Sequence, residues 1–480
     1  MKKSLAVTLV ALFVLAVSFA MVPKKANAIP AFAQKYHFSC AVCHTVFPNL
    51  NPFGRAFWRN GFRLPGTNGT PADATQITNG LSLPNPWPIP LMISSNIWYK
   101  HTTNENVSNS TDPFNAKVNF VVGGADPIYT PLANSLSFYV HMHAMAGGKF
   151  GEDQVWASLN GVGSAFGLPA HLLNLKLGQI TTASPYFYRQ NVIFPTNGPV
   201  GSLQSLSVGY DGEAGTLIHS QNAGFELYGT PGYHLWYKVT VTNDAGSGNG
   251  VGGTCPTGDT CTAQGATANQ NSGSNAMEYS YQLKEYAPTP MGQFEIGYYG
   301  ATIAEPISIS ATNSVPVTSS QSWNNRVIVN GVDVDLANDI YELGLTYMVQ
   351  SDSNPYGPSG STLPTNITDT SNGYSTFEAY GRYLMPNVGN GLMLVGDYAT
   401  YSYTHKNSQE AFNGTYGASC SNENLYGGAK GWPTCVDGIK DDLTLEAEYN
   451  LSYNAHLYAG YDFTNVSEFD QFQTGIFFAF

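Results

Sequence analysis

Apolar and polar residues alternate with a period of two in one short segment after another, from residue 91 to the end of the chain. In 443–451, Leu, Leu, Ala, Tyr and Leu alternate with Thr, Glu, Glu and Asn. The same pattern occurs at 233–242, 277–284, 341–349 and 455–463. Successive side chains of a strand point to opposite faces, so these segments predict strands with one apolar and one polar face. A water-soluble β-sandwich and a membrane-spanning β-barrel both fit this alternation.

The connections between these segments separate the two possibilities. The candidate strands are 91–101, 116–124, 134–147, 151–160, 170–180, 222–229, 233–243, 276–286, 291–302, 323–335, 338–350, 374–386, 391–404, 441–451, 455–465 and 469–480. From residue 222 onward, short connections such as 387–390 and 452–454 alternate with long ones such as 244–275 and 405–440, and only the last connection breaks the rule. Transmembrane barrels have short periplasmic turns and long outer loops. We therefore predict an all-β fold, a transmembrane antiparallel β-barrel of about 16 strands over 91–480.

Two further observations concern the barrel. Phe472, Thr474, Ile476, Phe478 and Phe480 lie on one face of the last strand, and a terminal Phe is typical of bacterial outer-membrane barrels. The long connection 181–221 could fold inward and constrict the lumen, or residues 203–220 could form an extra hairpin that raises the count to 18 strands. The prediction is an outer-membrane location in a Gram-negative cell, with 16 or 18 strands.

Charge and hydropathy exclude other classes of protein. Only 11% of the 480 residues are charged, and the net charge of −13 excludes a basic nucleic-acid binder. The only long apolar run is Leu5 to Met21, which follows Lys2 and Lys3 and precedes Ala26-Asn27-Ala28. This arrangement predicts a signal peptide over 1–28, and hence export, instead of a bundle of membrane-spanning helices.

The first two cysteines form a motif with the histidine that follows them. Cys40-Ala41-Val42-Cys43-His44 is the C-x-x-C-H pattern that attaches a c-type haem in exported proteins. A disulfide between Cys40 and Cys43 would leave His44 unexplained. A zinc site needs four close ligands, and the other four cysteines lie more than 200 residues away. We predict one covalently attached haem c, with Cys40 and Cys43 as attachment residues and His44 as proximal iron ligand.

The remaining cysteines lie in two segments rich in Gly, Thr and Asn. Cys255 and Cys261 lie in one segment, and Cys420 and Cys435 in the other. In an oxidising compartment these pairs predict the disulfides Cys255–Cys261 and Cys420–Cys435 within long loops. No nearby His or basic cluster would activate a thiolate for catalysis.

The haem segment and the barrel carry opposite charge. Residues 29–70 contain four basic residues and no acidic one, whereas residues 71–480 contain 12 basic and 33 acidic residues. This contrast favours a small monohaem domain, 29–70, that plugs the lumen or sits on the periplasmic side of the barrel. The alternative is that the basic residues pair only with haem propionates and solvent. Residues 71–90, rich in Pro, Gly, Thr and Asn, are predicted to be a linker.

The haem segment resembles a known family. After C-x-x-C-H come F-P-x-L-N-x-F-G at 47–54 and N-G-F at 60–62. This stretch of about 35 residues is similar to the haem segment of the fused outer-membrane cytochrome c–porins, the iron-oxidising cytochromes of iron:rusticyanin reductase type, while the rest of the chain matches in architecture only. The resemblance implies oxidation of extracellular Fe(II), with electrons passed through the haem to a periplasmic c-type cytochrome or copper protein.

Outer-sphere electron transfer needs no acid–base pair or nucleophile, and the sequence predicts no catalytic residue beyond the haem ligands. The distal haem ligand stays open among five candidates, which are His37, Met92, His141, His143 and Met145. Glu446 and Glu448 face the predicted lumen, where they either attract Fe(II) or simply line a solvated pore. Two other functions fit these residues, a porin with a sensing or gating haem and a haem–barrel oxidoreductase for another extracellular donor such as a sulfur compound.

Overall fold

The computed structural model describes thirteen segments of the chain. They are residues 31–64, 75–78, 81–83, 91–102, 114–130, 132–145, 149–183, 221–243, 277–309, 321–353, 372–403, 441–464 and 470–479. The helices are α1 (Ala31–Tyr36) and α2 (Pro52–Arg59), and Cys40–Val42, Val162–Phe166 and Pro231–Tyr233 form short 3-10 turns. The strands are β1 (Thr75–Thr78), β2 (Leu81–Leu83), β3 (Met92–Thr102), β4 (Phe114–Thr130), β5 (Ala133–Met145), β6 (Lys149–Asn160), β7 (Asn174–Thr181), β8 (Gln221–Gly229), β9 (Leu235–Asn243), β10 (Met277–Thr289), β11 (Gly292–Ile309), β12 (Gln321–Ala337), β13 (Tyr341–Asp352), β14 (Asn372–Met385), β15 (Leu392–Tyr403), β16 (Asp441–Ser452), β17 (Ala455–Thr464) and β18 (Gln471–Ala479).

Within these segments, β3 to β18 form one closed antiparallel barrel of sixteen strands. The barrel closes where β18 pairs with β3, with Gln471 opposite Thr102 and Ala479 opposite Ser94. Strand β7 pairs directly with β8, so the closed order has no place for two more strands between them. The predicted barrel of about 16 strands is confirmed, and the alternative hairpin at 203–220 lies outside the described residues.

The alternation in the sequence separates the two faces of the barrel wall. On β13 the outward Leu343 and Leu345 are 55% and 50% exposed, whereas the inward Glu342 and Thr346 are buried. An outward apolar face on a closed barrel is suited to lipid, and closure leaves no unpaired edge. The molecule is thus an outer-membrane, porin-like β-barrel. Among the described residues, no helix has the length and hydropathy needed to cross a bilayer.

The long connections after β7, β9, β11, β13 and β15 lie at one end of the barrel, together with the two short ones after β5 and β17, while the other short turns lie at the opposite end. The strand predicted over 338–350 begins only at Tyr341. Residues 338–340 form a turn instead, because Asn338 Oδ1 accepts hydrogen bonds from the N–H groups of Ile340 and Tyr341. The connection between β6 and β7 is longer than predicted, since Gly161 and Gly167 adopt left-handed φ values of 77° and 74° around a 3-10 turn.

Part of the predicted linker is ordered as a small hairpin. Strands β1 and β2 pair with each other in a separate two-stranded sheet, with Thr75 opposite Leu83. The sequence between them is Asn79-Gly80, a pair that strongly favours two-residue β-turns. The linker predicted over 71–90 therefore contains this short hairpin.

The connection after β7 starts inside the lumen. Thr182 and Ala183 are fully buried, and the Ala183 N–H donates to Ser280 Oγ at 3.1 Å. Lys238 Nζ donates to the carbonyl oxygens of Thr181 and Thr182 at 2.9 and 2.7 Å. These contacts agree with the expected inward course of this connection, whose remaining residues lie outside the described part of the chain.

Candidate functional site

The C-x-x-C-H motif forms a compact turn that presents both thiols and the imidazole. The N–H groups of Cys43 and His44 both donate to the Cys40 carbonyl, at 3.1 and 3.0 Å. Cys40 and Cys43 are half-buried and are not joined in a disulfide. Burial raises the pKa of both thiols, to about 11 for Cys43, so neither is a thiolate at neutral pH. Two neutral thiols on one turn suit thioether formation.

The His44 ring has the tautomer that an iron ligand needs. Its Nδ1 lies 3.0 Å from the Pro48 carbonyl oxygen, which only accepts, so Nδ1 carries the proton and Nε2 keeps its lone pair. Burial lowers the pKa of His44 to about 4, against an opposing effect of hydrogen bonds to backbone carbonyls. The imidazole is therefore neutral above that pH, and its free Nε2 fits the role of proximal ligand.

Asn51 connects the C-x-x-C-H turn to helix α2. Its side-chain Oδ1 caps the helix by accepting from the Gly54 N–H at 2.9 Å. Its Nδ2 donates to the carbonyl oxygens of Ala41 and Val42 at 3.3 and 3.1 Å. Its own N–H donates to the Cys43 carbonyl at 2.9 Å. One side chain thus fixes both the helix start and the turn that carries the thiols.

Gly54 and Phe47 complete the packing around this turn. A Cβ atom on Gly54 would lie 2.2 Å from the Cys43 carbonyl oxygen, so no larger residue fits without movement. The Phe47 ring lies 4.9 Å from the His44 ring. The residues of F-P-x-L-N-x-F-G therefore have physical roles in shaping the turn, which the sequence indicated only by resemblance. The residues present fit a covalently attached haem.

Two arginines of α2 form buried ion pairs with carboxylates on the inner wall. Arg55 pairs with Asp335 and Glu342, and all three side chains are 5% exposed or less. Arg59 makes a two-pronged contact with Glu295, at 3.1 and 2.7 Å. Burial lowers the pKa of Arg55, but Glu342 and Asp335 outweigh it and hold that pKa above its ordinary value. The Arg55 guanidinium therefore stays charged inside the barrel.

The other two basic residues of the segment also contact the wall. Lys35 Nζ lies 2.9 Å from Asp126 Oδ1 and donates to the Ala125 carbonyl. Arg63 donates to Asn174 Oδ1 at 2.9 Å, and burial lowers its pKa. The alternative that these basic residues meet only haem propionates and solvent is wrong, because all four contact the barrel.

Aromatic rings fill the space between the segment and the wall on one side. The Trp58 ring lies 5.0 Å from Tyr139, and the Phe62 ring stacks on Trp156 at 5.5 Å. On another side, Phe47 stacks on Phe477 at 6.0 Å. The segment is therefore held by apolar as well as charged contacts.

The position of the motif along the barrel axis follows from one contact. The Tyr453 hydroxyl donates a hydrogen bond to the His44 carbonyl oxygen, and it lies 3.4 Å from the Thr45 carbonyl oxygen. Tyr453 belongs to the short turn between β16 and β17. The C-x-x-C-H turn therefore lies at the short-turn end of the barrel.

The candidates for the distal ligand lie at different places. His37 is exposed, with a φ of 56°, while Met92 packs with Phe47 in one apolar cluster. His141 and His143 share the inner face of β5, and His141 Nε2 is 3.3 Å from an oxygen of Asn119. The side chain of Met145 lies outside the described part. No contact in the described residues selects one candidate, and the choice stays open.

Metal and disulfide predictions have different outcomes. In the part of the chain that the structure describes, no group of three or more His, Cys, Asp or Glu side chains is arranged to hold a metal ion. Glu446 and Glu448 lie on the inner face of β16 and are buried, which confirms their predicted orientation. The pairs Cys255–Cys261 and Cys420–Cys435 lie outside the described residues and stay predictions.

Comparison with known proteins gives structural neighbours only. No protein-family model and no curated protein matches the chain. OmpT of Vibrio cholerae, in a loop-deletion form, is similar over 82% of this chain and 98% of its own, at 10% identity and a TM-score of 0.45. OprB of Pseudomonas putida is similar over 81% and 93%, at 10% identity and a TM-score of 0.49. OmpF of Salmonella typhi, solved with daunomycin, is similar over 82% and 97%, at 13% identity and a TM-score of 0.43.

Proposed function

We propose that this protein is an outer-membrane cytochrome–porin that oxidises extracellular Fe(II) and delivers the electrons to the periplasm. The observation that carries the proposal is the His44 ring, whose Nδ1–H is held by the Pro48 carbonyl while Nε2 stays available. In an exported C-x-x-C-H protein, this geometry is that of a proximal haem ligand. The fused cytochrome–porin family that the segment resembles supplies the expected donor, Fe(II).

The buried contacts support the proposal that residues 29–70 are a haem domain plugging the lumen. Arg55 and Arg59 form ion pairs with carboxylates on β11, β12 and β13. Phe47 stacks on Phe477 of β18, and Trp58 makes an edge-to-face contact with Tyr139 of β5. Charged groups with side chains 1–2% exposed are costly to bury without partners. The segment is thus matched to the inside of this barrel in charge and shape.

The residues of the chain position the electron-transfer site. When bound, the haem supplies a one-electron redox centre. Cys40 and Cys43 would hold it covalently, His44 would ligate its iron, and Asn51 and Gly54 fix the turn that carries all three. Tyr453 holds the His44 backbone at the short-turn end, which is periplasmic in outer-membrane barrels. A periplasmic c-type cytochrome or copper protein would therefore take up electrons at this end.

A porin with a gating haem is the second candidate. The inward course of Thr182 and Ala183 favours it, since a connection folded into the lumen restricts the pore. In that case the haem would report or control conduction without accepting electrons from Fe(II).

Anaerobic addition of Fe(II) to the purified, oxidised, full-length protein tests the proposal. We expect prompt reduction of the haem, followed by absorbance, and dithionite serves to show that all the haem can be reduced. Reduction by dithionite but not by Fe(II), across acidic and neutral pH, would reject iron oxidation. Reduction by sulfide alone would favour another donor, and ion conductance with no redox response would favour the gated porin.

A further inference from the structure

A histidine on the inner wall of the barrel has no hydrogen-bond partner among the residues that the structure describes. His456 of β17 is 0% exposed, and neither Nδ1 nor Nε2 makes a hydrogen bond. Its Nε2 lies 3.6 Å from Oε2 of Glu448 on the neighbouring strand β16, which is 1% exposed. Buried polar groups without partners are rare, and an ion or a water molecule commonly explains them.

The surroundings of this pair are negatively charged. Glu446 lies two residues before Glu448 on the same face of β16 and is 4% exposed. The nearby Arg382 is already engaged, since its Nη2 lies 2.7 Å from Glu342 Oε2. A cation is therefore favoured between His456 and Glu448 over an anion.

The donor atoms suit a divalent transition metal. Imidazole nitrogen and carboxylate oxygen bind such ions at about 2.0–2.2 Å. Two ligands at those distances are about 3.0 Å apart around an octahedral ion and about 3.4 Å apart around a tetrahedral one. The observed separation of 3.6 Å needs only a small approach of the two side chains. Two protein ligands would leave the other coordination positions of the ion to water.

Ring contacts join this pair to the proximal ligand of the proposed haem. The His456 ring stacks on Phe477 at 4.9 Å. Phe477 stacks on Phe47 at 6.0 Å, and Phe47 lies 4.9 Å from His44. These three ring contacts connect the buried pair to His44, so an ion held there would lie near the proposed proximal ligand.

We propose that His456 and Glu448 bind a divalent first-row transition metal ion, and that Fe(II) bound there donates its electron towards His44. The identity of the ion as Fe(II) rests on the proposed function, whereas the site itself rests on His456 and Glu448. An Fe(II) ion held by the pair would give up one electron and become Fe(III), and the haem that His44 would ligate would take up that electron. No bond is made or broken and no proton moves.

Equilibrium dialysis of the oxidised, haem-loaded, full-length protein against Co(II) tests the site, with bound metal counted by elemental analysis. We expect one Co(II) per chain in the wild type and an affinity at least 10–100-fold lower in His456→Phe and in Glu448→Gln, because each loses a ligand. Glu378→Gln removes a buried inner-wall carboxylate of β14 outside the pair and is the matched control, with unchanged affinity. Heat-modifiable gel mobility verifies that each barrel is folded.

Absence of Co(II) binding in the wild type, or wild-type affinity in folded His456→Phe and Glu448→Gln, would overturn the site and leave water as the occupant. Fe(II)-dependent haem reduction, measured on the same samples, separates this inference from the proposed function. If folded His456→Phe reduced its haem at the wild-type rate, electron transfer from an ion bound at His456 and Glu448 would be overturned, while the proposed iron oxidation would stand. Normal Co(II) binding without haem reduction by Fe(II) would instead reject iron oxidation.

Discussion

At the scale of single residues, a few short-range contacts determine the geometry of the C-x-x-C-H turn, residues 40–44. The Pro48 carbonyl selects the tautomer of His44, and Asn51 joins the turn to α2. Each contact spans no more than about ten residues of sequence. The motif could therefore be recognised from sequence, although the role of each residue within it could not.

Replacing His44 with Ala should abolish Fe(II)-dependent haem reduction while leaving the barrel folded. The strands satisfy their own backbone hydrogen bonds, and the iron loses its proximal imidazole. Absorbance of attached haem would report the change of spin state. His234→Ala is the control, because His234 has a similar 3.0 Å contact to a carbonyl but is exposed. A folded, haem-loaded His44→Ala protein with the wild-type rate would contradict the role of His44.

Replacing Gly54 with Ala should destabilise the haem turn by about 1–3 kcal/mol, because the added Cβ overlaps the Cys43 carbonyl. We expect less haem per chain after expression, measured by haem-stained electrophoresis. Gly396→Ala is the control, since a Cβ there has its nearest neighbour at 3.7 Å. Equal haem content in the two variants would show that the turn tolerates the methyl group.

At the scale of secondary-structure elements, helix α2 depends on carboxylates that are distant in sequence. Arg59 and Glu295 are 236 positions apart, and Arg55 and Asp335 are 280 apart. Composition predicted that a basic segment meets an acidic barrel, but no local pattern could predict which residues pair. The strands were predictable because alternation is local, and the β1–β2 hairpin was missed because its strands are very short.

Replacing Arg59 with Gln should destabilise the seating of α2 by about 3–5 kcal/mol, because Glu295 is left charged and buried without its partner. Limited proteolysis of the folded protein should then cut within 31–64 faster than in the wild type. Restoring resistance with Arg59→Gln/Glu295→Gln would confirm that the lone carboxylate is the cause. Arg326→Gln, at an exposed site, should have no effect.

At the scale of the whole molecule, the closed barrel with segregated connections sets the sidedness. Alternation and connection length, read together, predicted sixteen strands and the inward faces of Glu446 and Glu448. The partners of the N-terminal segment required the structure, since closure brings β11, β13 and β18 around residues 47–59 of that segment. Neither the sequence nor the described part of the structure selects the distal haem ligand.

A membrane-impermeant protease applied to intact cells should cut within 244–275 and 405–440 and spare the turn at 387–390. Long connections face outward in such barrels, and short turns face the periplasm. Immunoblotting with N- and C-terminal antibodies would identify the fragments, and permeabilised cells serve as the control. Cleavage at the 387–390 turn in intact cells would reverse the assigned orientation.

The buried arginine pairs also impose an order on biogenesis. Once Arg55 and Arg59 are enclosed by the barrel wall, withdrawing the segment would leave unpaired charges on both the arginines and their carboxylate partners. Cys40 and Cys43 are then half-buried beneath the turn that carries Tyr453, where an attachment enzyme has little access. If haem is attached as proposed, its attachment would therefore come before closure of the sheet, and the barrel would assemble around a segment that already carries its haem.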